Sequence, residues 1–131
     1  MHLHAALITA LTAIVLVFAM FLVGRARGKY DIKAPATSGH PDFERAFRAH
    51  MNTIEQTVVF LPVLWLASVY SGYENIAGYL GYAWIVGRLW YIVGYVKEAD
   101  KRSMGFLVSA LCFFILLGMS LWGIAHGFMT A

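Results

Sequence analysis

Two groups of residues combine charge, spacing and position in a way that permits chemistry. Arg48, Asn52 and Glu55 are spaced i, i+4, i+7. At about 100° per residue they share one helix face, with Arg45 one turn earlier near that face. Arg88, Tyr91, Tyr95 and Arg102 are spaced i, i+3, i+7, i+14. On one unbroken helix these four fall within an arc of roughly 60° and form a polar stripe about 20 Å long. The two groups offer guanidiniums, a carboxylate, an amide and two phenols. Arginine grips carboxylates bidentately, Glu55 can accept an ammonium, and a guanidinium beside a thiol favours its thiolate. The set suits a small zwitterion with excess negative charge. The plainer alternative is that the stripes pair only for stability, Glu55 bridging Arg48 or Arg88. Buried ion pairs add little net stability, and a cluster with more arginine than carboxylate is balanced only when an anion joins it.

The elements that must position these residues are read from composition. The 131 residues are 60% hydrophobic and 13% charged, with a mean hydropathy of +0.68. A soluble domain carries roughly 25% charged residues, and a small one has too little interior to hide this much apolar surface. Lipid accepts apolar side chains all round a helix. A span needs about 20 apolar residues, and four such segments occur. The first runs from about Leu3 to Gly24. Its opening has no Lys or Arg and its basic cluster follows it, so it reads as a retained helix rather than a cleaved leader. The second has an uncharged run from Gln56 to Tyr73, and its helix starts near Pro41 or Asp42, because Pro41 suits a first helical position and Asp42 and Glu44 a first turn. The third lies between Glu74 and Lys97, interrupted only by Arg88. The fourth runs from Ser103 onward without Asp, Glu, Lys or Arg. The expected fold is an all-α integral membrane bundle of four transmembrane helices, up-down-up-down, forming one domain over residues 1–131.

Breakers mark the connections. Gly28–Pro41 is the one real loop, Ser71-Gly72-Tyr73 is a short turn, and the polar link from Lys97 to Arg102 is short enough to continue the third helix. Arg25, Arg27, Lys29, Lys33, Arg45 and Arg48 sit between spans one and two. Lys97, Lys101 and Arg102 sit between spans three and four. The positive-inside rule places both connections in the cytoplasm and both termini outside. Ionisable residues at bilayer depth usually line a site, so the site is expected toward the cytoplasmic rim.

The stretch Phe43-Glu-Arg-Ala-Phe-Arg-Ala-His-Met-Asn-Thr-Ile-Glu55 resembles the signature of the MAPEG superfamily, membrane-associated proteins of eicosanoid and glutathione metabolism. The signature has the form Arg-Ala-x-x-Asn-x-x-Glu, here Arg48 to Glu55. The preceding Thr37-Ser-Gly-His-Pro-Asp-Phe-Glu-Arg45 is similar to the loop before that helix in the family. Arg88-Leu-Trp-Tyr-Ile-Val-Gly-Tyr95, followed by Arg102, resembles the family's second block and its downstream catalytic arginine. The resemblance implies a homotrimer with glutathione, as co-substrate, held between neighbouring subunits. By position, Arg27, Arg48, Asn52, Glu55, Arg88, Tyr91 and Tyr95 would hold glutathione, and Arg102 would stabilise its thiolate. Gln56 and Pro62 depart from the pattern: Gln56 stands where some members have a glutathione-contacting tyrosine, and Pro62 is displaced from the usual place close behind the glutamate. His50 stands where a glutamine occurs elsewhere in the family.

The resulting expectation is a membrane-bound glutathione transferase active in detoxification, with glutathione peroxidase activity as a second capacity, acting on hydrophobic electrophiles from the bilayer. Two other classes stand beside it. One is a non-catalytic lipid- or glutathione-binding scaffold, against which Arg102 speaks. The other is a small transporter with Glu55 as proton-coupled group, which an arginine stripe suits poorly. The remaining features take plainer readings. No metal is expected from His2, His4, His40, His50 and His126, of which only His2 and His4 are close, in a terminus expected to fray. Cys112, the single cysteine, sits in the apolar run Leu111–Leu117 as a packing residue. Trp65, Trp84, Trp90 and Trp122 read as interface anchors or packing, and Gly78, Gly81, Gly87 and Gly94 let helices approach. A formal charge of +3 with no basic tract gives no reason to expect nucleic acid.

Overall fold

A computed structural model describes residues 1–131. It contains four long helices: α1 (Leu3–Tyr30), α2 (Pro41–Tyr70), α3 (Glu74–Lys97) and α4 (Ser103–Thr130), with a single 3₁₀ turn, Ala99–Arg102, leading into α4. All four are long and apolar enough to cross a membrane. α2 and α3 are central, and α1 and α4 each pack on both. Large apolar side chains such as Ile14, Phe21, Val58, Tyr79, Phe114 and Leu121 remain exposed on the outside, as expected for a surface solvated by lipid rather than water.

Each helix begins and ends for local reasons. α1 continues past Gly24 to Tyr30, because Arg27 and Lys29 in its last turn complement the helix dipole. α2 starts at Pro41, as its first-turn chemistry requires: Pro41 occupies the first position, Asp42 and Glu44 the first turn, and the His40 ring accepts the Asp42 backbone N–H at 3.1 Å. Gly72 turns the chain between α2 and α3 with φ 79°, a left-handed conformation that favours glycine. The Tyr73 amide donates to Ser71 Oγ at 3.0 Å in the same turn.

The link after α3 differs from the expected continuous helix. α3 ends at Lys97, Glu98 is extended (φ −162°, ψ 136°), and the 3₁₀ turn reverses the chain into α4. A collinear continuation would leave the apolar face of α4 unpaired. Reversal instead packs α4 on α3 through glycines: a Cβ at Gly94 would run into the Lys101 carbonyl, and one at Gly105 into the Tyr91 backbone nitrogen and the Gly87 carbonyl.

The core is built around Phe60 of α2 stacked on Trp84 of α3 at 3.7 Å, with Ile8, Leu64, Ile92 and Leu116 fully buried around them. Polar groups inside the bundle find partners. Thr12, Thr53, Thr57 and Ser120 donate to the carbonyl four residues earlier, and Trp65 Nε1 donates to Thr9 Oγ1 at 2.9 Å across α1 and α2. The expectation of a frayed start also needs correction. The His2 ring lies 2.7 Å from Ser68 Oγ, its backbone N–H donates to Glu74 at 3.2 Å, and the His4 ring meets the Tyr82 hydroxyl at 3.0 Å. These pairs hold the beginning of α1 against α2 and α3.

Candidate functional site

The 3₁₀ turn and the ends of α2 and α3 bring the polar residues together. A cleft of about 650 Å³ is lined by Arg48 and Asn52 from α2, Tyr91 and Tyr95 from α3, Arg102 from the turn, and Ser103, Phe106 and Leu107 from α4. Tyr91 and Tyr95 meet edge to face at 5.6 Å, and the Arg102 guanidinium lies 5.0 Å from the Tyr95 ring centre. Arg102 therefore reaches the tyrosines from a different element than a continuous helix would require. It comes back over Tyr95 because the chain reverses, and the glycine contacts let α4 come close enough.

Arg88 sits behind this wall rather than in it. Its side chain is fully buried, and its guanidinium lies 4.0 Å from the Tyr91 ring centre. Its Nη2 donates to Asn52 Oδ1 at 2.7 Å and to Thr53 Oγ1 at 2.8 Å. Its Nε and Nη1 are buried without an acceptor. Of the two pairings open to Glu55, the structure shows the one with Arg48, at 3.9 Å, each side chain more than half exposed. An ion pair so exposed contributes at most about 1 kcal/mol.

Two other cations do not join the cleft. Arg27 Nη1 donates to the Ala36 carbonyl at 2.8 Å and its guanidinium lies 4.7 Å from the Phe43 ring centre, so within one chain it ties the Gly28–Pro41 loop to α1. Arg45 pairs with Asp42, whose carboxylate also accepts the Tyr30 hydroxyl at 2.6 Å. Sequence reasoning missed Thr53, the second acceptor for Arg88, and the apolar wall of Phe106 and Leu107. Thr53 follows Asn52 directly, but only the helix crossing reveals that both face Arg88. Phe106 and Leu107 read as ordinary span residues until the turn is known.

The cleft thus combines donor-rich polar side chains with apolar ones from α4, Phe106 lying 6.2 Å from Tyr91 between ring centres. Arginine, amide and phenol groups can hold carboxylates and carbonyls, while Phe106 and Leu107 can seat an apolar group.

Residues 5–122, most of the chain, match the MAPEG family. The chain belongs to that family. It is 46% identical over 112 residues to an uncharacterized protein of Synechocystis sp., covering 86% of this chain and 81% of that one. It is 40% identical over 107 residues to the microsomal glutathione S-transferase 2 of Homo sapiens, covering 82% and 72%. It is 33% identical over 126 residues to the leukotriene C4 synthase of Cavia porcellus, covering 96% and 83%. As a MAPEG member with four span-length helices, it is a multi-pass membrane protein. Both signature blocks of the MAPEG resemblance, Arg48–Glu55 and Arg88–Tyr95, contribute residues to the one cleft.

Proposed function

We propose that this protein is a membrane-bound glutathione transferase that joins glutathione to lipophilic electrophiles reaching it through the bilayer. The observation that carries this reading is the cleft itself, which combines Arg48, Asn52, Tyr91, Tyr95 and Arg102 with the apolar Phe106 and Leu107. The names of two relatives, a microsomal glutathione S-transferase and a leukotriene C4 synthase, support the same chemistry. In this reading Arg48, Asn52, Tyr91 and Tyr95 hold the peptide and Glu55, at the margin beside Arg48, takes its ammonium. Arg102 stabilises the thiolate: the thiol gives its proton to water, and the sulfur attacks the electrophilic carbon. A C–S bond forms as the leaving group departs with its electron pair, or as the π pair of an activated double bond moves to the neighbouring carbon, which then takes a proton from water. With a hydroperoxide instead, two glutathione molecules are oxidised to the disulfide while the O–O bond is reduced to alcohol and water.

The working unit in this proposal is a homotrimer. Arg48 and Glu55 are more than half exposed on α2, and in this proposal a second copy of the chain covers them. That copy also brings its own Arg27 toward the cleft. The proton-coupled transporter draws no support from Glu55, which lies at the outer surface of the bundle.

Glutathione titration of the detergent-purified protein, with ultraviolet absorbance for thiolate, tests the proposal. Binding with a thiolate signal is expected. Arg48→Ala and Glu55→Ala should each weaken binding by about ten-fold, as loss of a charged hydrogen bond implies. Absence of binding would sink the reading. Binding without thiolate would favour the non-catalytic scaffold.

A further inference from the structure

Arg88 stands apart from every other cation in the chain. The remaining nine of the ten lysines and arginines lie in or beside the two polar connections at one end of the bundle. Arg88 alone is fully buried between α2 and α3. No ion pair neutralises it, and two of its nitrogens have no acceptor. Besides the Tyr91 ring under its guanidinium, its hydrogen bonds are both through Nη2, to Asn52 Oδ1 and Thr53 Oγ1. Thr53 spends its own hydroxyl proton on the Ala49 carbonyl at 2.8 Å, so only its lone pair is offered to Arg88. Neither Arg88 nor Thr53 lines the cleft, whereas Asn52 does.

A guanidinium has only donors. An amide beside it must therefore present its oxygen, and its NH₂ group is turned away. An asparagine without such a partner can exchange oxygen and nitrogen by rotating its terminal torsion, offering an acceptor as readily as a donor.

We propose that Arg88 is a positioning residue that sets specificity without touching the ligand. By holding Asn52 Oδ1 it commits the cleft-facing part of that amide to donation, so that Asn52 joins Arg48 and Arg102 in a wall that accepts carboxylate or carbonyl oxygens and rejects donor groups. This differs from a direct Arg88–glutathione contact, and it rests on the glutathione reading of the cleft. The cost is a buried charge with unpaired N–H groups, which the fold tolerates in return for one fixed amide orientation.

Two substitutions separate this role from a purely structural one. In Asn52→Asp, one carboxylate oxygen keeps the Arg88 contact and supplies the missing counter-charge, while the other places a negative acceptor in the cleft. The ligand-free protein should show a higher thermal midpoint, yet bind glutathione about ten-fold or more weakly, as an uncompensated like charge in a binding site implies. Arg88→Met frees the amide and should weaken binding in the parent, but should add no further loss in an Asn52→Ala background, since its effect runs through Asn52. A further loss in that background would mean Arg88 meets the ligand directly and would overturn the proposal, as would parental affinity in Asn52→Asp. If the parent binds no glutathione, the functional reading fails, and the thermal midpoint decides the clamp. Asn52→Asp should then raise the midpoint relative to its parent only where Arg88 is present. An equal change in the Arg88→Met background would overturn it.

Discussion

Arg102 and Arg88 are both guanidiniums beside a tyrosine ring, yet their surroundings set them to different work. Arg88 is sealed in the bundle at 4.0 Å from the Tyr91 ring centre, whereas Arg102 is exposed, 5.0 Å from that of Tyr95, and lines the cleft. A permanently protonated group at that place can favour a thiolate without competing for the proton. A free thiol has a pKa of about 8.5, so only a few per cent is thiolate at neutral pH. Arg102→Ala should still bind glutathione, with a smaller thiolate absorbance and slower turnover of a generic aromatic electrophile. Removing the cation raises the bound thiol's pKa toward its free value, so the lost rate should return in part as pH rises through about 8.5. Each unit of that shift corresponds to about 1.36 kcal/mol, or ten-fold in thiolate at neutral pH. Unchanged turnover in Arg102→Ala would remove it from the mechanism.

At the scale of elements, the site depends on how closely α4 approaches α3. Gly105 meets the backbone of Tyr91 and Gly87 with no room for a Cβ, whereas a Cβ at Gly118, on the same helix, would meet nothing within 4 Å. Gly105→Val should therefore destabilise the protein by about 1–3 kcal/mol, the usual cost of overpacking. By pushing α4 outward it should also weaken glutathione binding, because Arg102, Phe106 and Leu107 move together. Gly118→Ala should leave the thermal midpoint unchanged or slightly higher, since alanine is the better helix former by about 1 kcal/mol. Equal midpoints for the two variants would show that the α3–α4 contact is not the constraint described. The boundary of α2 was legible beforehand because Pro41, Asp42 and His40 act locally. The reversal after Lys97 was not, because no glycine or proline marks it and the residues Glu98–Arg102 are compatible with a helix.

For the molecule as a whole, four helices in alternating direction place both termini with the Ser71–Tyr73 turn, opposite the Gly28–Pro41 loop and the 3₁₀ turn. The first end carries Glu74 in contact with the start of the chain, and the second carries the basic residues. From the positive-inside rule we propose that the cleft faces the cytoplasm, where a water-soluble peptide can enter. Labelling of Ser38→Cys, in a Cys112→Ala background to remove the buried native thiol, should occur only from the cytoplasmic side. Modification of intact cells from outside would reverse the orientation.

Properties that depend on local order along the chain could be read from residues alone. Apolar length decides that four helices can span, because lipid demands that each backbone satisfy itself within its own helix. Helical periodicity placed Arg48 with Asn52, and Arg88 with Tyr91 and Tyr95, because residues three, four and seven apart share a face whatever surrounds them. What lies opposite a face is not local. The tertiary structure decided that Arg88 turns inward to Asn52 and Thr53, that Glu55 sits beside Arg48 instead, that Arg27 secures a loop, and that Arg102 arrives from a separate turn. Each outcome depends on which side chains another helix brings within hydrogen-bond distance, and helix crossing is set by packing at glycine contacts such as Gly94 and Gly105, not by the spacing of the charged residues themselves.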